Sequence, residues 1–185
     1  MIYEINDFGL ETKFATFDGA AALKNGCEIS GYASVFGETD QSGDVVKTGA
    51  YAESLRRLKQ GKRSVKMLWQ HDPTKPIGVW DEVHEDDKGL YVKGRLLPDI
   101  QAGSEALALI KAGAIDGLSI GYRTIEAEKF NNTGRILHKL ELWEVSLVTF
   151  PMLPQARVSS LADAEGDLAQ ELAAALNAAR HEMLT

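Results

Sequence analysis

Three residues in this sequence have side chains suited to acyl transfer and lie in stretches that could hold them still. Ser119 sits at the centre of Gly113-Ala-Ile-Asp-Gly-Leu-Ser-Ile-Gly-Tyr-Arg123, His71 closes the run Val65-Lys-Met-Leu-Trp-Gln-His71, and Glu144 lies inside Leu142-Trp-Glu-Val-Ser-Leu-Val148. A serine hydroxyl becomes a useful nucleophile when a base takes its proton, a third group orients that base, and backbone donors receive the oxyanion. Imidazole suits the base because it accepts and returns a proton near neutral pH. A carboxylate among apolar residues, as at Glu144, is costly unless paired and hydrogen-bonded, so it calls for a partner such as a histidine.

Each residue taken alone has a plainer reading. A serine in a strand is more often structural, and a lone histidine is more often a cap or core residue. Glu141 falls on the opposite strand face from Glu144 and reads as solvated, while His138 and Asp116 are further candidates for orienting the base. Gly117-Leu-Ser-Ile-Gly121 spells a nucleophile elbow, but strand signal continues through Tyr122 and Thr124 instead of turning into a helix, which argues against an α/β-hydrolase. The flanking Gly117 and Gly121 leave room for another chain to approach closely. A metal site from His71, Asp72 and His84 matches no zinc spacing, and Asp72 would point away from His71 on an extended chain. The loop carrying Asp40 and Asp44 lacks the alternating oxygen ligands of a calcium loop. Neither a metal nor a cofactor is expected.

Strands must position such residues. Val65, Met67 and Trp69 share one face with His71 next in register, and Asp72-Pro73 is expected to end that strand, which leaves His71 at a strand terminus. Cys27 to Phe36 predicts a strand with Ile29, Gly31, Ala33 and Val35 on one face; Lys13 to Phe17 gives a weaker edge strand. Ile77–Val83 and Gly89–Leu97 predict a hairpin across a charged turn, and 135–150 predicts a strand long enough to imply a barrel or strongly bent sheet. Helices are expected near 48–60, capped by Thr48 and stopped by Gly61, and near 99–112, capped by Asp99 and stopped by Gly113. Residues 1–158 form the expected domain. Beyond it, 159–185 read as a linker and an amphipathic helix with Leu168, Leu172, Leu176 and Met183 on one stripe.

Composition bounds the rest. A chain of 185 residues with 44% hydrophobic and 25% charged residues can bury its own core, and no apolar run approaches the ~20 residues of a membrane span. The first residues lack the basic and apolar parts of a signal peptide, and the single cysteine, Cys27, fits a reducing compartment, so an intracellular protein is expected. A net charge of −7 argues against broad nucleic-acid binding. The local basic cluster of Arg56, Arg57, Lys59, Lys62, Arg63 and Lys66 reads as a solvated helix face, or else as a docking patch for an acidic partner or RNA; aromatic residues do not interleave with it.

Taken together, four stretches resemble the prohead, or capsid-maturation, serine proteases of tailed phages. They are Gly31-Tyr-Ala-Ser-Val-Phe36 with the Asp-rich loop and Gly49-Ala-Tyr51; Leu68-Trp-Gln-His-Asp72 with Pro76-Ile-Gly78; Gly113 to Tyr122; and Leu142-Trp-Glu-Val-Ser-Leu-Val-Thr-Phe-Pro151. The resemblance implies a mostly β fold with flanking helices, α+β in class, built as a bent antiparallel β-barrel of the herpesvirus maturation protease type. It implies a serine endopeptidase with Ser119 as nucleophile, His71 as base and Glu144 as third member, ahead of Glu141 and His138. Oxyanion donors would come from the loop 151–157. The implied substrates are scaffold or the scaffolding segment of the major capsid protein, and the protease itself, inside an immature capsid in the host cytoplasm. Self-association is expected, with no membrane partner. The competing reading is a non-catalytic assembly protein that keeps the same fold.

Overall fold

The computed structural model describes residues 10–14, 26–40, 42–130 and 134–149. In chain order the elements are β1 (Glu11–Phe14), β2 (Glu28–Val35), β3 (Val45–Val46), α1 (Ala52–Gln60), β4 (Lys66–Trp69), β5 (Asp72–Glu85), β6 (Gly89–Leu96), α2 (Gln101–Lys111), β7 (Gly117–Phe130) and β8 (Gly134–Val148). The strands form one sheet ordered β1-β7-β8-β4-β5-β6-β2, with β3 paired to β8 off that path. At its far edge β2 also approaches β1 and β7, so the sheet curls into a partial barrel. The expected mostly β architecture with two helices is present. It differs from an all-antiparallel barrel, because both β3 and β4 run parallel to β8.

The strand patterns follow burial on the inner face. In β2, Ile29 and Ala33 are buried as the alternation requires, but a bulge between Tyr32 and Ser34 turns the end of the strand and buries Ser34 in place of Val35. The β7–β8 hairpin is long because Leu118, Ile120, Leu140, Leu142, Val145 and Leu147 all bury their side chains in the core. It is antiparallel along its whole length, with register shifts near Gly121 and Glu126. A buried indole ties the layers together: Trp80 donates its Nε1–H to the Val145 carbonyl at 3.2 Å.

Both expected N-caps are corrected. Residues 48–51 form a turn rather than helix, and α1 begins after Tyr51, which has no side-chain cap. Its donor is satisfied from across the sheet instead, since the Tyr51 N–H donates to Glu85 Oε1 at 2.9 Å. Burial raises the Glu85 carboxyl above its ordinary value, and backbone hydrogen bonds from Tyr51 and Gly49 partly offset that rise. Before α2 the N-cap position is Ile100 rather than Asp99, again without a side-chain cap. Gly113 does end α2 as expected: its φ of 69° is left-handed, and its N–H and that of Ala114 bond back to Ile110 and Leu109.

The polar loop before β3 is held from within. Asp40 Oδ1 accepts from Ser42 N, Ser42 Oγ and Asp44 N at 2.9, 2.6 and 2.9 Å. Asp44 then grips Arg135 at the start of β8, with Oδ2 2.6 Å from Nη2 and Oδ1 accepting the Arg135 backbone N–H at 2.7 Å. The same guanidinium reaches Glu11 Oε2 at 2.7 Å, so one arginine fastens the loop, β1 and β8. The expected linker and helix at 159–185, and the loop 151–157, lie outside the described residues.

Burial acts to raise the Glu11 carboxyl, but hydrogen bonding by Thr124 and Arg135 and the charge of Arg135 hold it below the usual carboxylate range. A depressed folded-state value means that the stabilisation is present above the ordinary carboxylate range and is lost as pH falls through the folded value. Glu11→Gln should therefore lower stability near pH 7 by about 1–2 kcal/mol. Urea unfolding should show that difference shrinking below about pH 4 as the wild-type carboxyl itself protonates.

Candidate active site

Cross-strand register builds the floor of the site. On β7 and β8, Ser119 pairs with Ser146 and Gly121 with Glu144, so these four residues share one face of the hairpin. The Gly121 position must stay bare: a Cβ there would lie 2.1 Å from Glu144 Oε1. The sequence reading of Gly121 as a point of close approach holds, although a carboxylate side chain comes close, not another backbone. Glu144 and Ser146 lie two apart on β8 with Val145 between them facing the core.

His71 arrives from the other side of β8. The parallel strand β4 brings Leu68 and Trp69 into register with Ser146 and Leu147. The chain then reverses, because Gln70 and His71 take φ of 52° and 61° and Asp72 pairs back with Trp69. Two successive positive φ values are the signature of a type I′ two-residue hairpin, a conformation usually left to glycine and asparagine. The expectation that Asp72-Pro73 ends the strand is thus corrected. Strand β4 ends at Trp69 through this turn, while β5 continues through Pro73, which falls in the irregular stretch between the pairs Trp69–Asp72 and Leu68–Pro76. Gln70 anchors the turn, donating its backbone N–H to the Leu147 carbonyl at 2.9 Å and its side-chain Nε2–H to Thr149 Oγ1 at 2.6 Å.

The turn sets the imidazole between a carboxylate and a hydroxyl. His71 Nδ1 is 2.5 Å from Glu144 Oε1, and His71 Nε2 is 2.7 Å from Ser119 Oγ. A carboxylate at Nδ1 can only accept, which places the imidazole proton on Nδ1 and leaves the Nε2 lone pair facing the serine O–H. Glu144 Oε2 accepts from Ser146 Oγ–H at 2.6 Å, and the same Ser146 oxygen accepts the His71 backbone N–H at 3.1 Å. Glu144 is 3% exposed and Ser119 and Ser146 are fully enclosed, which makes the imidazole, at 13%, the most open group of the four. The arrangement sets a hydroxyl, an imidazole and a carboxylate in a single hydrogen-bonded line, the order of groups that acyl transfer requires.

The other candidates lie elsewhere. Glu141 pairs with Arg123 at 3.6 Å and His138 with Glu128 at 3.2 Å, both on more exposed parts of the hairpin. Asp116 directly precedes β7, three residues before Ser119. Asp72 accepts from the Thr74 backbone and hydroxyl at 2.9 and 2.6 Å, and His84 stacks at a tilt on Tyr91 on the distant β5–β6 hairpin. Arg57, Lys62, Arg63 and Lys66 of the basic cluster border a groove of about 350 Å³ that also contains Trp143, which alternates with Glu144 on β8. Two features escaped the sequence reading. Ser146 was detectable from period-2 spacing with Glu144, whereas the left-handed Gln70-His71 turn contains none of the residues that ordinarily signal one.

Known proteins share this chain's sequence and fold. The family model described as Caudovirus prohead serine protease matches residues 16–169. Against the prohead protease of Enterobacteria phage HK97 the chain is 35% identical over 159 residues, covering 84% of this chain and 67% of that protein. Against the prohead protease of Escherichia phage T5 it is 30% identical over 125 residues, or 67% of this chain and 58% of that one. A stretch of 109 residues is 33% identical to the capsid polyprotein of Pseudomonas phage PAJU2, of which it covers 16%. Among solved structures, the bacteriophage T4 capsid assembly protease has a similar fold, with a TM-score of 0.59 at 18% identity over 77% of this chain and 98% of that one. With the matching family model spanning most of its length, the chain belongs to the caudovirus prohead serine protease family.

Proposed function

We propose that this chain is a capsid-maturation endopeptidase in which Ser119, His71 and Glu144 carry the chemistry. The observation behind the assignment is the continuous hydrogen-bonded line from Ser119 Oγ through both imidazole nitrogens to Glu144, at 2.7 and 2.5 Å. In the reaction, Ser119 Oγ attacks a peptide carbonyl carbon as its proton passes to His71 Nε2. Glu144 stabilises the imidazolium so formed through Nδ1–H. The proton then moves from Nε2 to the departing amine, the C–N bond breaks, and an ester to Ser119 remains. Water, deprotonated by the same nitrogen, cleaves the ester and releases the acid. Oxyanion donors from the loop 151–157 complete the proposal.

The substrates proposed are scaffold, or the scaffolding segment of the major capsid protein, and the protease itself. Sequence similarity to a capsid polyprotein supports placing the enzyme beside capsid protein, inside the assembling capsid within the host cytoplasm. Self-association is part of the proposal. One observation favours the rival reading of a non-catalytic assembly protein, namely that Ser119 is fully enclosed. On the protease reading, a substrate carbonyl reaches Ser119 only after the atoms covering it move.

Co-expression with the capsid protein, read by intact-protein mass, separates the two. Wild type should yield discrete truncated products and Ser119→Ala none, with folding retained; site-specific cleavage by Ser119→Ala would overturn the assignment. His71→Ala should lower the rate by at least about 10³-fold, and Glu144→Gln by about 10²–10⁴-fold. Gly121→Ala should act at one remove by displacing Glu144. Its rate should drop about 10²-fold and its stability by about 1–3 kcal/mol, measured in matched cleavage and urea-unfolding assays.

A further inference from the structure

Ser146 makes contacts that packing alone does not call for. It is fully enclosed on a strand whose neighbours Val145 and Leu147 are apolar core residues, and a hydroxyl at such a position is unfavourable unless its hydrogen bonds are made. Its one donor goes to Glu144 Oε2 at 2.6 Å, and one of its lone pairs accepts the His71 backbone N–H at 3.1 Å. Glu144 Oε1 meets the His71 ring at 2.5 Å, so the contacts close a cycle: Ser146, Glu144, the imidazole, the His71 backbone, and Ser146 again.

We infer that Ser146 is a positioning residue that holds the base and its orienting carboxylate in register with each other. This rests on the Ser119–His71–Glu144 reading given above. The physical need is twofold. A glutamate carboxylate turns easily about its last torsion, so fixing Oε1 against the imidazole requires a partner at Oε2. The His71 backbone, at φ 61°, sits in a left-handed turn where a bulky residue is strained, and its N–H finds an acceptor in the Ser146 oxygen. One hydroxyl answers both demands from the strand position directly opposite Ser119.

The test uses the full chain and a fluorophosphonate probe, which reports nucleophile activation whatever the natural substrate. Labelling rates are measured across pH for wild type, Ser146→Ala, Ser146→Thr and Ser119→Ala, alongside thermal unfolding. The titratable groups bonded within the cycle are His71 and Glu144. On this face β7 contributes Ser119 and Gly121; Lys66 of β4, in register with Glu144, directs its ammonium toward Ser64. Removing the donor to Glu144 disfavours the anionic state of the pair relative to its protonated state, so the acid limb of the profile should move to higher pH. Ser146→Ala should also label about 10- to 100-fold more slowly. Ser146→Thr, which keeps the hydroxyl, should return the limb toward its wild-type position, an outcome that loosened packing would not produce.

A folded Ser146→Ala variant with wild-type rate and an unmoved limb overturns the inference while leaving the protease reading intact. Should Ser146→Ala lack a cooperative unfolding transition, Ser146→Cys, of similar volume and with a far weaker donor, is read by the same criteria. Labelling that persists in Ser119→Ala, or a wild type that is never labelled, overturns the protease reading and this inference with it.

Discussion

The carboxylate of Glu144 is almost wholly enclosed within the sheet, and the site follows from what that burial demands. An isolated charge there would cost several kcal/mol, so both oxygens must find donors. One comes from Ser146 two positions along the same strand, and the other has to come from a different part of the chain. Room for the side chain comes from β7, where Gly121 has no Cβ to collide with it. The carboxylate, the glycine and the histidine are thus a single packing solution as much as a chemical one.

Bringing His71 to that carboxylate requires local strain. Two consecutive non-glycine residues in left-handed conformation cost on the order of 1–2 kcal/mol each. Offsetting this are the hydrogen bonds that only this geometry permits: the Gln70 backbone to Leu147, the Gln70 side chain to Thr149, the His71 backbone to Ser146, and the ring to Glu144. A charge-assisted bond contributes roughly 1.5–3 kcal/mol, the same order as the strain it opposes. Strain concentrated at the proposed base, with its compensation in neighbouring strands, fits a site where preorganisation matters more than local comfort.

Much of the scaffold was legible in the sequence. Alternation located β2, the β5–β6 hairpin and the long β8, and Gly113 marked the end of α2, because a period of two and a left-handed glycine are both local properties. The misreadings were local rules overridden from afar. Thr48 and Asp99 are good capping residues, yet α1 begins at a donor satisfied by Glu85 from another strand, and α2 begins after Ile100. Pro73 looks like a strand end, but the left-handed turn before it had already ended β4, and Pro73 itself falls in an irregular stretch of β5.

For the site, the sequence alone determined the chemical inventory: a serine two residues from a glycine on either side in a strand, a histidine after a strand, and a buried-looking glutamate in need of a partner. Strand periodicity also separated Glu144 from Glu141. What it left open was which groups meet, with His138 and Asp116 still in contention as orienters. Only the tertiary structure decided that, since 48 residues separate His71 from Ser119 and 73 separate it from Glu144. Their meeting depends on a parallel β4–β8 pairing and a left-handed turn at Gln70-His71. Neither has a local sequence signal, because each is stabilised by hydrogen bonds to strands that are remote until the sheet has formed.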